Sequence, residues 1–145
     1  MDARFSQITE NFWVGPQVTD ADLKAAADAG VSLVISNRMD GEEPGQPLIK
    51  DIETRATGLG LSFVSLPVGP MGINEAMLNA FQEAVDKTSG GVLAYCKSGF
   101  RSVMVRAMAS VRTGTDIDTV IQEALGAGFD IRGHTALLEA VAPDQ

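Results

Sequence analysis

The chain has 145 residues, of which 45% are hydrophobic and 21% charged, a composition typical of one globular domain rather than of a disordered chain. Its net charge of −8 at pH 7, with no basic cluster, argues against nucleic acid or an anionic membrane as a partner. With one cysteine, no membrane-length apolar run and no apolar leader, the sequence predicts a cytoplasmic protein without an internal disulfide.

The first half of the chain alternates short strands with helices. FSQI and FWVG, separated by a turn-like break, are aromatic strand candidates near the start. Thr19 then caps a predicted helix that ends at Gly30, and the apolar stretch 31–36 predicts a buried strand. A polar loop punctuated by glycine and proline covers 37–47, and a helix is predicted over 48–58.

The second half continues this alternation and ends in helices. LSFVSLPV predicts a strand over 61–68, and Asn74 caps a helix whose apolar residues recur at helical spacing. GVLAYC is almost continuously apolar, which is typical of a central parallel strand covered on both faces. Helices are then predicted over 101–113, 116–127 and 135–141.

The alternation predicts a single α/β domain over residues 1–145. Its central sheet is expected to be mostly parallel, with helices on both faces and short N-terminal edge strands. Ligands of such sheets bind outside the carboxyl ends of the strands, where three loops are predicted, 37–47, 67–74 and 96–101. Cys96 lies there, at the end of the most apolar strand and directly before a helix.

Cys96 is open to two interpretations, a buried core residue or a nucleophile. Ser98 and Gly99 lack bulk, so backbone N–H groups of this loop can turn inward toward an anion. The helix that begins near Arg101 adds the partial positive charge of its N-terminus, and both effects favour a thiolate. Because Arg101 is also a planar, bidentate donor to an oxyanion, the segment predicts a nucleophile held over an anion site.

An anionic small substrate is compatible with this acidic chain if the positive charge is local. The residues that could supply such charge are Arg38, Lys97, Arg101 and Arg106. The anion-binding residues that we predict are Arg38 and the loop residues Lys97, Ser98, Gly99, Phe100 and Arg101.

The segment YCKSGFRS resembles the catalytic loop of the protein tyrosine/dual-specificity phosphatase superfamily, and it also resembles the active loop of rhodaneses. Together with VGPQVTDADLKAAADAG and NRMDGEEPGQP, it makes nearly the whole chain similar to the phosphatase-like domain family of β-lactamase hydrolase-like proteins. The resemblance implies a cysteine-phosphatase-like fold with Cys96 as nucleophile and Arg101 as the anion-binding arginine. It also implies that Ser102 assists departure of the thiolate.

Two departures from the phosphatase pattern leave the chemistry open. The phosphatase signature has five residues between cysteine and arginine, whereas four separate Cys96 from Arg101, which is the rhodanese-like count. Loop 67–74, where these phosphatases usually carry an aspartate as general acid, contains no aspartate. Such a proton donor is typically worth ~10²–10⁴ in rate. Asp40, Glu42 and Glu43 are open to two interpretations, solvated loop charges with local turn hydrogen bonds or a substitute proton donor, and Asp40 is the best candidate for the second.

Three functions follow from these observations. The first is hydrolysis of a phosphate monoester through a phosphocysteine on Cys96, with a small anionic or phosphorylated substrate as partner. The second is rhodanese-like sulfur transfer through a persulfide on Cys96. The third is an inactive anion or phosphopeptide binder. No cofactor is expected, and one cysteine with the single histidine, His134, predicts no metal site.

Overall fold

The computed structural model describes residues 1–143 and contains a five-stranded sheet in the order β1-β2-β5-β3-β4. The strands are β1 (Ser6–Thr9), β2 (Phe12–Gly15), β3 (Val31–Ser36), β4 (Ser62–Ser65) and β5 (Gly91–Tyr95). The helices are α1 (Asp20–Asp28), α2 (Ile49–Gly58), α3 (Glu75–Asp86), α4 (Phe100–Arg112), α5 (Ile117–Gly126) and α6 (Thr135–Val141), with a 3₁₀ turn at Arg132–His134.

The sheet is parallel except at its β1 edge. β1 pairs antiparallel with β2, so the two predicted N-terminal strands form a hairpin with β1 outermost. β2 and β3 both run parallel to β5, and β4 runs parallel to β3. The predicted α/β class with a mostly parallel sheet is therefore confirmed, and β5 lies at its centre.

Helices cover both faces of the sheet because the strand side chains alternate between them. In β5, Leu93 and Tyr95 pack in the same cluster as Leu23 of α1 and Ile52 of α2. Val92 and Ala94 of the same strand point to the opposite face and belong to a second cluster, with residues of α3, α4, α5 and α6. Full burial of β5 on both faces explains why its sequence is almost continuously apolar.

The predicted strand 61–68 is shorter in the structure, where β4 covers only Ser62–Ser65. Pro67 has no N–H to donate, so regular pairing cannot continue through it. The amides of Leu66 and Val68 nevertheless donate to the carbonyls of Ser36 and Asn37, at 2.8 and 3.1 Å. These bonds attach the loop that follows β4 to the carboxyl end of β3.

Within residues 1–143 no helix combines the length and the apolar character needed to cross a membrane.

Candidate active site at the carboxyl edge of the sheet

Cys96 follows β5 directly and is buried, with its backbone amide donating to the Gly15 carbonyl at 3.2 Å. Its Sγ atom accepts a hydrogen bond from the Gly99 amide at 3.0 Å. Gly99 has φ 102°, a left-handed conformation, and a Cβ there would lie 2.9 Å from Cζ of Phe129. The turn that brings the amide back to the sulfur therefore requires glycine.

We call the loop residues 97–101, which are predicted to bind an anion, the cradle. They lead directly into α4, which begins at Phe100. The Phe100 amide donates to Oγ of Ser98 at 3.3 Å. Lys97 is exposed, and its Nζ lies 3.8 Å from a carboxylate oxygen of Glu43. Of residues 97–101, the structure thus brings the Gly99 amide to the thiol, next to the N-terminus of α4, where the helix dipole favours negative charge.

Arg101 connects the three loops at this edge of the sheet. Its Nη1 donates to the carbonyls of Asn37 and Val68, at 3.4 and 2.9 Å. Nη1 and Nη2 also donate to the two carboxylate oxygens of Glu42, at 2.6 and 2.7 Å. The bonds to Glu42 are the main cause that raises the pKa of Arg101, and the neighbouring Cys96 contributes in the same direction.

The carboxylate of Glu42 contacts both arginines near Cys96, Arg101 and Arg38. It also accepts from Nε of Arg38 at 2.8 Å and from the Met39 amide at 2.9 Å. The hydrogen bonds from Arg101 lower the pKa of Glu42 from 4.5 to about 2, with smaller contributions from Met39 and Arg38. Glu42 is therefore ionised at neutral pH. Its spacing of four residues from Arg38 could have indicated that contact, but no local signal indicated the contact with Arg101.

Arg38 is fully buried and is connected to the cradle through Glu42. Its Nη1 donates to Gln17 at 2.9 Å and approaches Glu43 at 3.4 Å. Its Nη2 is buried with no hydrogen-bond partner in the structure. The hydroxyl of Tyr95 is likewise buried and unpartnered, and burial raises the pKa of that phenol. The guanidinium of Arg38, which we predicted to bind an anion, is thus already in contact with the carboxylates of Glu42 and Glu43.

Ser102 and Asn37 form a buried pair next to the cradle. The Ser102 hydroxyl donates to Oδ1 of Asn37 at 2.8 Å, and Nδ2 of Asn37 donates to the Leu66 carbonyl at 2.9 Å. Both side chains are fully buried. In this arrangement the Ser102 proton is directed to Asn37 rather than to Cys96. Asn37 was not predicted as a site residue, although it opens the quoted segment NRMDGEEPGQP.

Asp40 and His134 lie outside this network. Oδ1 of Asp40 accepts from the Ile49 amide at 2.8 Å, so the carboxylate caps the start of α2. The His134 ring packs against Phe100 with ring centroids 5.3 Å apart. Among residues 1–143 no three histidine, cysteine, aspartate or glutamate side chains come close enough to hold a metal ion.

Two curated relatives resemble the chain along most of its length. It is 36% identical to a beta-lactamase hydrolase-like protein of Xylella fastidiosa (strain 9a5c), over 96% of this chain and 32% of the relative. It is 31% identical to a protein of the same name from Agrobacterium fabrum, over 92% of this chain and 31% of the relative. The chain therefore spans about a third of the length of the curated relatives that it matches.

Solved structures give the same picture of the fold. A candidate phosphatase from Neisseria meningitidis is 27% identical, with a TM-score of 0.83 over 97% of this chain and 99% of that one. A kinase associated phosphatase shares the fold at 13% identity, with a TM-score of 0.71 over 98% of this chain and 96% of that one. Residues 2–113 match the family model "Beta-lactamase hydrolase-like protein, phosphatase-like domain". The chain belongs to this family and has a phosphatase-like fold.

Proposed function

We propose that residues 1–145 act as one phosphatase-like domain that hydrolyses a small phosphate monoester, with Cys96 as the nucleophile. The observation that carries the proposal is the hydrogen bond from the Gly99 amide to Sγ of Cys96, 3.0 Å long, at the N-terminus of α4. Inward amides, a helix N-terminus and the adjacent Arg101 are the features that stabilise a thiolate and bind a phosphoryl group. The fold shared with phosphatases supports the same reading.

The reaction would proceed in two displacements at phosphorus. The Cys96 thiolate attacks, a sulfur–phosphorus bond forms, and the phosphorus–oxygen bond to the alcohol breaks with its electron pair leaving on that oxygen. Water then attacks the phosphocysteine and gives a proton to the carboxylate that protonated the leaving alcohol. The sulfur–phosphorus bond breaks with its electron pair on sulfur, which releases phosphate and restores the thiolate. The amides of the 97–101 loop and the Arg101 guanidinium hold the non-bridging oxygens in both steps.

The proton for the leaving oxygen is assigned to Asp40. Glu42 cannot supply it in this arrangement, because its pKa of about 2 keeps it ionised. Glu43 lies within 4 Å of both Arg38 and Lys97. Of the three loop carboxylates, Asp40 is the one with no ion pair in the described part of the chain. Its Oδ1 accepts from the Ile49 amide at 2.8 Å, and its Oδ2 has no hydrogen-bond partner among the described residues.

Glu42 and Ser102 are assigned supporting roles. Glu42 accepts hydrogen bonds from both terminal nitrogens of Arg101, so it positions the guanidinium before the anion binds. Ser102 would assist departure of the thiolate only after its hydroxyl rotates away from Asn37. Both roles act on groups that touch the substrate rather than on the substrate itself.

Sulfur transfer is the second candidate, favoured by the short loop and by the commitment of Glu42 to two arginines. The Cys96 thiolate would attack the outer sulfur of a thiosulfate-type donor, forming a sulfur–sulfur bond and releasing sulfite with the electron pair of the broken bond. The persulfide would then pass its outer sulfur to an acceptor nucleophile. Neither step needs a proton donor near the leaving group.

Parallel assays of the purified protein on an aryl phosphate and on thiosulfate with cyanide separate the two chemistries. We expect phosphate release that the Cys96→Ser variant abolishes. A parent protein that does not turn over aryl phosphate, yet forms a persulfide on Cys96 from thiosulfate, would establish sulfur transfer instead. Mass spectrometry identifies that persulfide without ambiguity, since the chain has a single cysteine.

A further inference from the structure

A largely apolar cavity of about 300 Å³ adjoins Arg101. One face of α4 lines it, where Phe100, Met104 and Met108 recur every four residues and so stand above one another. Ile73 of the loop after β4 and Leu137 of α6 line it from two further elements. Three separate parts of the fold thus enclose one apolar space.

The cavity begins where the anion cradle ends. Arg101 lines the cavity together with Val68, whose carbonyl accepts from Nη1 of Arg101 at 2.9 Å, and Arg101 directly follows the loop that begins at Cys96. Phe100, the last residue of the loop between Cys96 and Arg101, lines it as well. Apart from Arg101, the one side chain with a titratable group at the cavity is His134, and its ring packs on Phe100.

Two apolar side chains at the rim of the cavity are exposed to solvent. Met71, on the loop after β4, is 98% exposed, and Leu137 is 47% exposed. Exposed apolar groups clustered around a concave site are typical of a binding site, and methionine side chains adapt to the shape of what they bind. Met71, Met104 and Met108 all line this cavity.

We infer that this cavity holds the organic group of the substrate, which is therefore a phosphate monoester of a small apolar alcohol or phenol. The inference rests on the proposed function, because it needs the phosphoryl group on the Cys96 loop. At about 30 Å³ per water-sized group, 300 Å³ accommodates a single aromatic ring or a short alkyl chain. A sugar or a charged group would lose its hydration there without gaining partners.

The test measures binding of methyl-, butyl- and hexylphosphonate to the parent protein by titration calorimetry. Their carbon–phosphorus bond resists hydrolysis, so binding is read without turnover. We expect affinity to rise by roughly two- to fourfold per methylene, where fourfold corresponds to a fully buried methylene at about 0.8 kcal/mol. Leu137→Asn and Met71→Asn should flatten this rise, whereas the matched control Leu59→Asn, which lies at the end of α2 and is 39% exposed, should keep it.

Each other result overturns the inference in a distinguishable way. Equal affinity for the three phosphonates would overturn it and leave hydrolysis on Cys96 standing. A rise that persists in both Leu137→Asn and Met71→Asn would place the organic group elsewhere on the molecule. If no phosphonate binds and aryl phosphate is not hydrolysed, the proposed function fails, and the inference fails with it.

Discussion

Arg101 and Glu42 meet in a two-point ion pair, with Nη1 on Oε2 at 2.6 Å and Nη2 on Oε1 at 2.7 Å. The pair joins the cysteine loop to the loop after β3, and both side chains are mostly buried. Such geometry stabilises charge only while both partners are present. Both the stability of the domain and the orientation of the guanidinium should depend on it.

Glu42→Gln should lower the free energy of unfolding by about 1–3 kcal/mol at pH 7, because two arginines lose their shared carboxylate. The folded-state pKa of about 2 lies below the ordinary 4.5, so the stabilisation is complete above about pH 5. It is lost as the pH falls from there through about 2. Urea unfolding at several pH values should therefore show the parent and the variant converging in acid.

The exposed pair Glu83 and Lys87 provides the control for this experiment. Glu83→Gln should leave the unfolding curve unchanged, because solvent screens a surface pair. An equal effect of the two substitutions would mean that the ion pairs of Glu42 with Arg101 and Arg38 do not stabilise the fold.

Arg101→Lys should reduce kcat/KM on an aryl phosphate by about 10²-fold or more, since an ammonium cannot reproduce the planar two-point contact. Arg106→Lys is the matched control. Arg106 pairs with Glu123 at 2.9 Å and lies over the Phe12 ring, away from the cysteine loop. It should stay within a few-fold of the parent, and the reverse order of effects would show that the wrong arginine has been assigned.

Gly99→Ala should impair activity by roughly tenfold or more, because its Cβ would meet Phe129 and move the amide off Sγ. Gly128 has a similar φ of 94° but no atom within 4 Å of a Cβ. Gly128→Ala should therefore cost about 1–2 kcal/mol of stability and leave kcat unchanged. Equal kcat values for the two variants would mean that the close approach at Gly99 has no part in the reaction.

Asp40→Asn should lower kcat on phosphates with poor leaving groups and spare those with good ones, if Asp40 supplies the proton. The reason is that only an alkoxide of high basicity needs protonation as it departs. A plot of log kcat against leaving-group pKa for parent and variant measures the difference. A uniform loss of kcat across all substrates, together with lower stability, would mean that Asp40 only caps α2 and does not supply the proton.

The sequence by itself determined the secondary-structure elements and the position of the proposed nucleophile, Cys96. Helix and strand periodicities are local, and the helices were predicted to within one or two residues of their observed bounds. The fully buried β5 puts Cys96 at a carboxyl end of the sheet, and Gly99 at its sharp turn is a local requirement of the backbone. Cys96, Gly99 and Arg101 could therefore be identified together.

The tertiary structure alone decided which distant groups complete the site. Arg101 and Glu42 are 59 residues apart, and Ser102 and Asn37 are 65 apart. The periodicity of each strand says which faces are buried but not which strand lies beside which. Only the placement of β3 next to β5 brings the loop after β3 against the cysteine loop. That lateral order, set by packing of the whole sheet, brings Glu42 to Arg101.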